Sequence, residues 1–239
     1  MTDFFANFLN PEKRLFIGYL ISAAFIALIW LKIAQKKPLT EIVSGFFSAK
    51  VWFSKSALAD YKLMVLNQFF IKLLAPILIG QLALTVFIFE NMHLLFSRPS
   101  ALIPVWMVML IFTVVLFILD DFSRYLLHRL MHRIPLLWRF HKAHHSATNL
   151  TPLTVLRTHP IEAVLFSLRA IIVHSLCLGV CFFFFADSVS LIEIFGSSMF
   201  VVIFHSLGSN LRHSHVNLSY WSWLEKILVS PAQHQLHHS

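Results

Sequence analysis

The chain has 239 residues, of which 58% are hydrophobic and only 13% are charged. Soluble domains average about 45–50% apolar and about 25% charged residues, so this composition excludes an ordinary soluble domain and indicates a single membrane domain. The formal net charge is +8, but the basic residues lie mainly between apolar segments, which favours anionic lipid headgroups over nucleic acid as their partner.

Five apolar segments are candidates for transmembrane helices, because a spanning helix needs about 20 mostly apolar residues. In chain order they are residues 15–34, 63–90, 101–120, 161–185 and 188–205. Lys72 and Pro76 lie inside the second segment, and together they are able to kink the helix or split it in two. The last two segments are joined by the sequence ADS and predict a tight helical hairpin. We therefore expect an all-α membrane protein with four or five spans, and Cys177 and Cys181 as small buried side chains rather than a disulfide.

The positions of Lys and Arg predict on which side of the membrane each loop lies. Basic residues occur in segments 32–62, 121–160 and 206–239, whereas the loop 91–100 has a single Arg and the ADS turn has none. The positive-inside rule therefore places those three segments in the cytosol. The second and third of them hold most of the histidines, which predicts a histidine-rich helical cap on the cytosolic face of the membrane.

Histidine is unusually clustered, since ten of the 14 histidines fall into four short groups. The groups are HxxxH (His128 and His132), HxxHH (His141, His144 and His145), HSH (His213 and His215) and a second HxxHH (His234, His237 and His238). Residues i, i+3 and i+4 share one face of a helix, so every group except HSH is able to present its nitrogens to one centre. The HSH pair needs an extended or irregular backbone to do so.

Clustered imidazoles without a metal ion would repel one another or lose hydration, so the groups predict metal ligands. Imidazole suits Zn, Cu, Fe and Ni. A zincin would need HExxH, but HRLMH has Arg beside its first histidine, and no carboxylate lies within the groups as it does in soluble di-iron bundles. Eight to ten nitrogen ligands suit two metals with a position open for oxygen, and iron is the metal that would use such a site for oxidation.

Hydrogen-bonding residues near the groups are candidates for orienting the ligand rings. These candidates are Asp121, Tyr125, Asn210, Glu162 and Asn149, each of which is equally compatible with capping or packing. The isolated His93, His159 and His174 favour structural roles, whereas the role of His205 stays open.

Four stretches that contain the groups resemble the fatty acid hydroxylase/sterol desaturase superfamily, the membrane-bound histidine-box di-iron oxygenases. They are DFSRYLLHRLMH, FHKAHHS, NLRHSHV and SPAQHQLHHS. The resemblance rests on box order, spacing and topology, and it divides the domain into apolar spans over 1–120 and a fatty acid hydroxylase-like region over 121–239. It implies a non-haem di-iron centre that uses O2 as co-substrate and electrons from a separate reductase to hydroxylate or desaturate a lipid, with hydroxylation favoured.

The resemblance also implies ligand roles for the matching positions. These are His128, His132, His141, His144, His145, His234, His237 and His238, with His213 as the intermediate ligand. His215 joins the candidate set although many relatives have Asn in its place. The segment TPLTVLRTHPIE, which contains His159, is also similar to the family. Relatives usually continue with a polar tail, so the end at Ser239 indicates a truncated form or an incomplete chain.

Two other classes of function remain as alternatives. A membrane Zn- or Cu-binding or transport protein would place polar residues near the middle of several spans. Here the histidine groups lie beyond the span ends, and only Lys72, Arg169, His174 and Glu193 are deep. A non-catalytic scaffold of lipid metabolism would be expected to lose ligands, whereas every group is intact.

Overall fold

The structure, a computed structural model, describes residues 8–11, 13, 15–73, 75–97, 103–185, 188, 206, 209–214 and 216–238. Those residues form helices, turns and loops without any strand, which confirms the all-α prediction. The α-helices, numbered α1 to α9, are Ile17–Ile33, Leu39–Phe46, Ala49–Trp52, Lys55–Leu73, Ala75–Leu95, Val105–Arg133, Pro135–His145, Pro160–Phe185 and Pro231–His237. The 3-10 helices η1 to η3 are Pro152–Leu156, Ser209–His213 and Leu224–Lys226.

Among the described residues, two helices are long and apolar enough to cross a membrane: α6, with 29 residues, and α8, with 26. At about 1.5 Å per residue, each is longer than the roughly 30 Å hydrocarbon core of a bilayer. Large apolar side chains on α6 point away from the protein, since Ile118 is 57% exposed and Phe122 is 59% exposed. Such a surface favours lipid surroundings over water. These two helices correspond to the third and fourth predicted spans.

The remaining predicted spans stay predictions. Helix α1 is apolar but has only 17 residues. The segment 63–90 is shared between α4, which ends at Leu73, and α5, which begins at Ala75. The segment 188–205 lies outside the described residues except for Ser188. The total of four or five spans and the cytosolic cap likewise stay predictions.

Contacts divide the chain into two compact units. The first unit consists of Met1–Gln68, His141–His159 and Val202–Ser239. Its apolar core contains Ala23 and Ala27 from α1 packed with Leu211 and Val216. This packing removes apolar surface from water and ties the N-terminal helix to the segment around η2.

The second unit consists of Phe69–Phe140 and Pro160–Val201. Its core joins two side chains of α6, Val108 and Phe112, to Cys177, Leu178 and Cys181 of α8. Both cysteines are buried and free. The prediction that they pack as small apolar side chains is therefore confirmed.

A partly buried polar cluster also joins α6 to α8 in the second unit. The Arg169 guanidinium donates to the Asp120 carbonyl at 3.0 Å and to the Ser123 hydroxyl at 2.7 Å, and it pairs with the Asp120 carboxylate at 2.8 Å. The His174 Nε2 lies 3.6 Å from the same carboxylate. Charged groups inside apolar helices persist only when they are paired, so these deep residues have a structural explanation.

Gly179 allows α8 to approach α5 closely. A Cβ added there would lie 2.8 Å from the Ile88 Cγ2 atom and 3.1 Å from the Thr85 carbonyl oxygen. We expect Gly179→Ala to lower the free energy of unfolding by about 1–3 kcal/mol through overpacking. Gly80→Ala is the matched control, because a Cβ at Gly80 meets nothing within 4 Å. Thermal unfolding in detergent measures both variants, and equal midpoints would contradict the close approach.

Candidate metal centre

The two HxxHH groups are carried by helices with well-defined beginnings. Helix α7 starts at Pro135, and proline suits the first position of a helix because no hydrogen bond from its nitrogen is needed there. Helix α9 follows a reciprocal capping box: the Ser230 hydroxyl accepts from the Gln233 N–H at 3.3 Å, and the Gln233 side chain accepts from the Ser230 N–H at 3.1 Å. Both HxxHH groups therefore lie on, or directly after, a helix in which residues three or four positions apart share a face.

Four imidazoles of the first unit converge and are called here the four-histidine cluster. They are His144, His213, His234 and His238, with ligand atoms that all lie within 4.8 Å of one another. The Nε2 atom of His213 lies 3.3 Å from that of His144 and 3.1 Å from that of His234. The Nε2 atom of His238 lies 3.2 Å from that of His234. The fold thus brings three distant segments, α7, η2 and the end of α9, to one centre.

The geometry of the four-histidine cluster fits a bound metal ion. Imidazole nitrogens bind such ions at about 2.0–2.1 Å, which at tetrahedral or octahedral angles puts neighbouring nitrogens roughly 2.8–3.4 Å apart. The His213 Nε2 contacts two other Nε2 atoms, and a single N–H cannot be directed at both. The His144 Nδ1 lies 3.2 Å from the Arg157 carbonyl oxygen. Because a carbonyl only accepts, Nδ1 carries the proton and the His144 Nε2 has a free lone pair.

The electrostatics of the cluster favour neutral imidazoles. His144 is only 6% exposed, and burial lowers its pKa well below the ordinary value of 6.5, helped by the neighbouring His238 and His141. The pKa of His237 is also lowered, first by burial and then by His141. A neutral imidazole is the form that binds a metal, so the rings are prepared for ligation near neutral pH.

We expect the metal-free protein to lose stability in acid. His144 takes up a proton near pH 6.5 when unfolded but only at lower pH when folded. Below about pH 6.5 the unfolded state therefore binds more protons than the folded state. The contribution of neutral His144 to the free energy of unfolding is complete above that pH and is lost progressively as the pH falls below it. Chemical denaturation across that range checks this expectation, with His144→Gln as the comparison. A pH dependence unchanged by the substitution would contradict it.

Three further histidines of the first unit form a second group: His141, His145 and His237. Their ligand atoms also lie within 4.8 Å of one another. The Nε2 atoms of His145 and His141 are 3.2 Å apart, and the ring centroids of His145 and His237 are 4.7 Å apart. Each HxxHH box therefore contributes ligand atoms to two neighbouring groups.

The HxxxH pair lies on α6 in the second unit. The ring centroids of His128 and His132 are 4.8 Å apart, as expected for residues one turn apart on a helix. The His132 ring also lies against Trp138, with centroids 5.1 Å apart.

The histidines of this centre all lie in the part of the chain that matches a known family. The sequence profile described as fatty acid hydroxylase matches residues 113–239, which is more than half of the chain and includes all ten clustered histidines. The chain belongs to the fatty acid hydroxylase family. Neither a curated protein nor a solved structure matches it.

Other candidate residues of this fatty acid hydroxylase family member lie in varied surroundings. Tyr125 is 50% exposed and its hydroxyl accepts a hydrogen bond from Arg129 at 3.0 Å. Asn210 is buried in η2, three residues before His213. Asp121 is partly buried on α6. The ring-orienting roles of these side chains stay predictions.

Some of the remaining residues singled out from the sequence lie within the described part of the chain, and the others lie outside it. Glu162 is buried in the first turn of α8, and Asn149 donates to the Val51 carbonyl at 2.9 Å and thereby anchors its loop. His159 lies between η1 and α8. Outside the described residues lie Glu193, His205, His215 and Ser239.

Sequence reasoning missed Arg157, which it counted only among the cytosolic basic residues. In the structure only 7% of the Arg157 surface is exposed. Its carbonyl oxygen lies 3.2 Å from the His144 Nδ1. The available signal was its position inside TPLTVLRTHPIE, the segment that resembles the family. Its buried partner Asp60 gave no signal, because that residue lies outside the matched region.

Proposed function

We propose that this protein is a membrane-bound non-haem di-iron oxygenase that hydroxylates, or desaturates, a lipid such as a fatty acyl chain or a sterol. One observation carries the proposal: in a member of the fatty acid hydroxylase family, the ligand atoms of four imidazoles lie within 4.8 Å of one another, and three of the Nε2 pairs are 3.1–3.3 Å apart. Hydroxylation is our preference over desaturation, and the description of the family as fatty acid hydroxylase supports that choice.

The histidines would divide the binding of metal between them. His144, His213, His234 and His238 would hold one ion. A second ion would be bound by His141, His145 and His237, and family resemblance assigns ligand roles to His128 and His132 as well, with His215 as a further candidate. The irons, when bound, supply activation of O2 and cleavage of a C–H bond.

The protein's own residues would orient the ligand rings, limit the access of water and bind the lipid substrate. The Arg157 carbonyl accepts the proton of the His144 Nδ1 and so directs the Nε2 lone pair into the cluster. Burial of His144 keeps the imidazole neutral and limits the access of water. The outward apolar surfaces of α6 and α8 would contact lipid, from which an aliphatic substrate enters.

The proposed setting is a multi-pass membrane protein with four or five spans. The distribution of Lys and Arg supports placing the histidine groups in a cap on the cytosolic face. The family resemblance supports a separate reductase as the source of the electrons. A membrane lipid is the expected substrate, and nucleic acid is not an expected partner.

Metal analysis joined to an oxygen assay tests the proposal. The protein is purified in detergent, its metals are measured by elemental analysis and iron spectroscopy, and lipids are then screened with a reductase under isotopically labelled O2. Two irons per chain together with label in a hydroxylated lipid, or with O2-dependent formation of a C=C bond and label in water, would support the oxygenase. Labile zinc or copper without O2 uptake would instead favour metal binding or transport. A folded protein without metal would favour a scaffold, and either result would overturn the proposal.

A further inference from the structure

Arg157 is the centre of a buried hydrogen-bond network in the first unit. The side chain leaves the end of η1, and its guanidinium donates to backbone and side-chain oxygens of two other segments. The Nε atom donates to the Ala143 carbonyl at 3.1 Å, and Nη2 donates to the Ser146 carbonyl at 3.2 Å and hydroxyl at 2.9 Å. Ala143 and Ser146 flank His144 and His145 at the end of α7. The guanidinium therefore satisfies carbonyls that the end of a helix leaves without partners.

The other side of the guanidinium faces α4. Its Nη1 atom donates to the Asp60 carboxylate at 3.0 Å and to the Ser56 carbonyl and hydroxyl at 3.2 and 3.0 Å. Asp60 is 0% exposed, and its second oxygen accepts from the Thr154 hydroxyl at 2.7 Å. Removing two charges from water is unfavourable unless their hydrogen bonds are satisfied. Here both carboxylate oxygens and all three guanidinium nitrogens have partners.

The same residue also touches the four-histidine cluster through its main chain. The Arg157 carbonyl lies 3.2 Å from the His144 Nδ1. Any movement of the Arg157 backbone would therefore turn the His144 ring or remove its acceptor. The side-chain hydrogen bonds to the end of α7 on one side and to α4 on the other would restrain such a movement.

We propose that Arg157 and Asp60 are positioning residues that fix the orientation and tautomer of His144, and thereby set the metal affinity of the four-histidine cluster. The inference rests on the metal centre of the proposed function and deepens it. It also gives a function to α4, since Asp60 lies well before residue 113, where the family match begins. The N-terminal region would then contribute to the site as well as to the membrane helices.

Arg157→Lys is the most informative variant. Lysine keeps the positive charge beside Asp60 but lacks the planar fork that reaches Ala143, Ser146 and Ser56 together. We expect the Fe²⁺ affinity of metal-free protein to fall by about 10–100-fold, the range found when groups that orient ligands are removed. Far-UV circular dichroism should remain that of the wild type.

Arg169→Lys is the matched control. Arg169 is likewise a largely enclosed arginine, paired with Asp120 at 2.8 Å and bound to Ser123 at 2.7 Å, but it belongs to the second unit. We expect Arg169→Lys to lower the thermal midpoint without changing Fe²⁺ affinity. An equal loss of affinity in both variants would overturn the proposal, because it would show a general effect of destabilisation.

A second readout does not depend on metal. Diethyl pyrocarbonate modifies neutral imidazoles, and mass spectrometry measures its rate at each histidine. We expect His144 of the metal-free protein to react several-fold faster in Arg157→Lys, while the rate at His93 stays unchanged. Asp60→Asn, which keeps the size of the side chain, should also increase the reaction rate of His144. This variant replaces Arg157→Lys in the experiment if Arg157→Lys does not fold.

The two readouts separate this inference from the proposed function. Wild-type affinity together with wild-type reactivity at His144 in the folded variants would overturn the inference and leave the oxygenase proposal intact. If the wild type binds no Fe²⁺, the oxygenase proposal fails. The positioning of His144 is then judged by its reactivity alone, and an unchanged rate would overturn it.

Discussion

Replacing His144 with alanine is expected to abolish the O2-dependent oxidation of lipid and to remove metal from the four-histidine cluster. The substitution deletes one of four converging nitrogens at a centre where the His144 and His213 Nε2 atoms are 3.3 Å apart. We expect turnover to fall by more than about 100-fold, because loss of a group that merely orients a ligand already lowers affinity or activity by about 10–100-fold. Iron per chain and product formation are measured on the same preparation.

His93→Ala is the control for this experiment. The His93 ring packs against Phe89 and Phe183, with centroid distances of 4.6 and 5.0 Å, and it lies outside the histidine clusters. We expect its iron content and turnover to match the wild type, even if packing losses reduce stability. Full iron content in a folded His144→Ala protein would contradict the assignment of His144 as a ligand.

Removing the metal with a chelator is expected to destabilise the first unit. The four-histidine cluster joins α7, η2 and the end of α9, so a bound ion would cross-link segments that are distant in sequence. A metal present at about 1,000 times its dissociation constant contributes about 4 kcal/mol to the free energy of unfolding. Hydrogen exchange should therefore accelerate in residues 141–145, 209–214 and 231–238 after chelation.

Helix α8 provides the internal comparison for the chelation experiment. It belongs to the second unit and packs through Cys177, Leu178 and Cys181 against α6. We expect exchange in the middle of α8 to be the same with and without metal. Uniform acceleration along the chain, or none near the histidines, would contradict a metal that links these three segments.

Local features of the fold were readable from the sequence because they depend on nearby residues. Long apolar segments indicated α6 and α8, and the spacing of His128 and His132 predicted a shared helix face, which the 4.8 Å separation of their rings confirms. The boundary of α9 is also local, since Ser230 and Gln233 form its capping box. The family followed from the same short-range patterns.

The division of each HxxHH box between two groups was not readable in this way. Successive helical residues turn by about 100°, so His144 and His145 point in directions roughly 100° apart. His144 accordingly lies with His213, whereas His145 lies with His141 and His237. Only the packing of α7, η2 and α9 decides which directions converge.

The sequence by itself determined the helical class, the apolar helices, the histidine faces and the family, because each depends on composition or on residues a few positions apart. Only the tertiary structure decided which side chains contact one another. It determines which imidazoles meet, and it pairs Asp60 with Arg157, 97 positions away in the sequence, at 3.0 Å. Such pairing follows from how whole helices bury their surfaces against one another, and no periodicity within either segment contains that information.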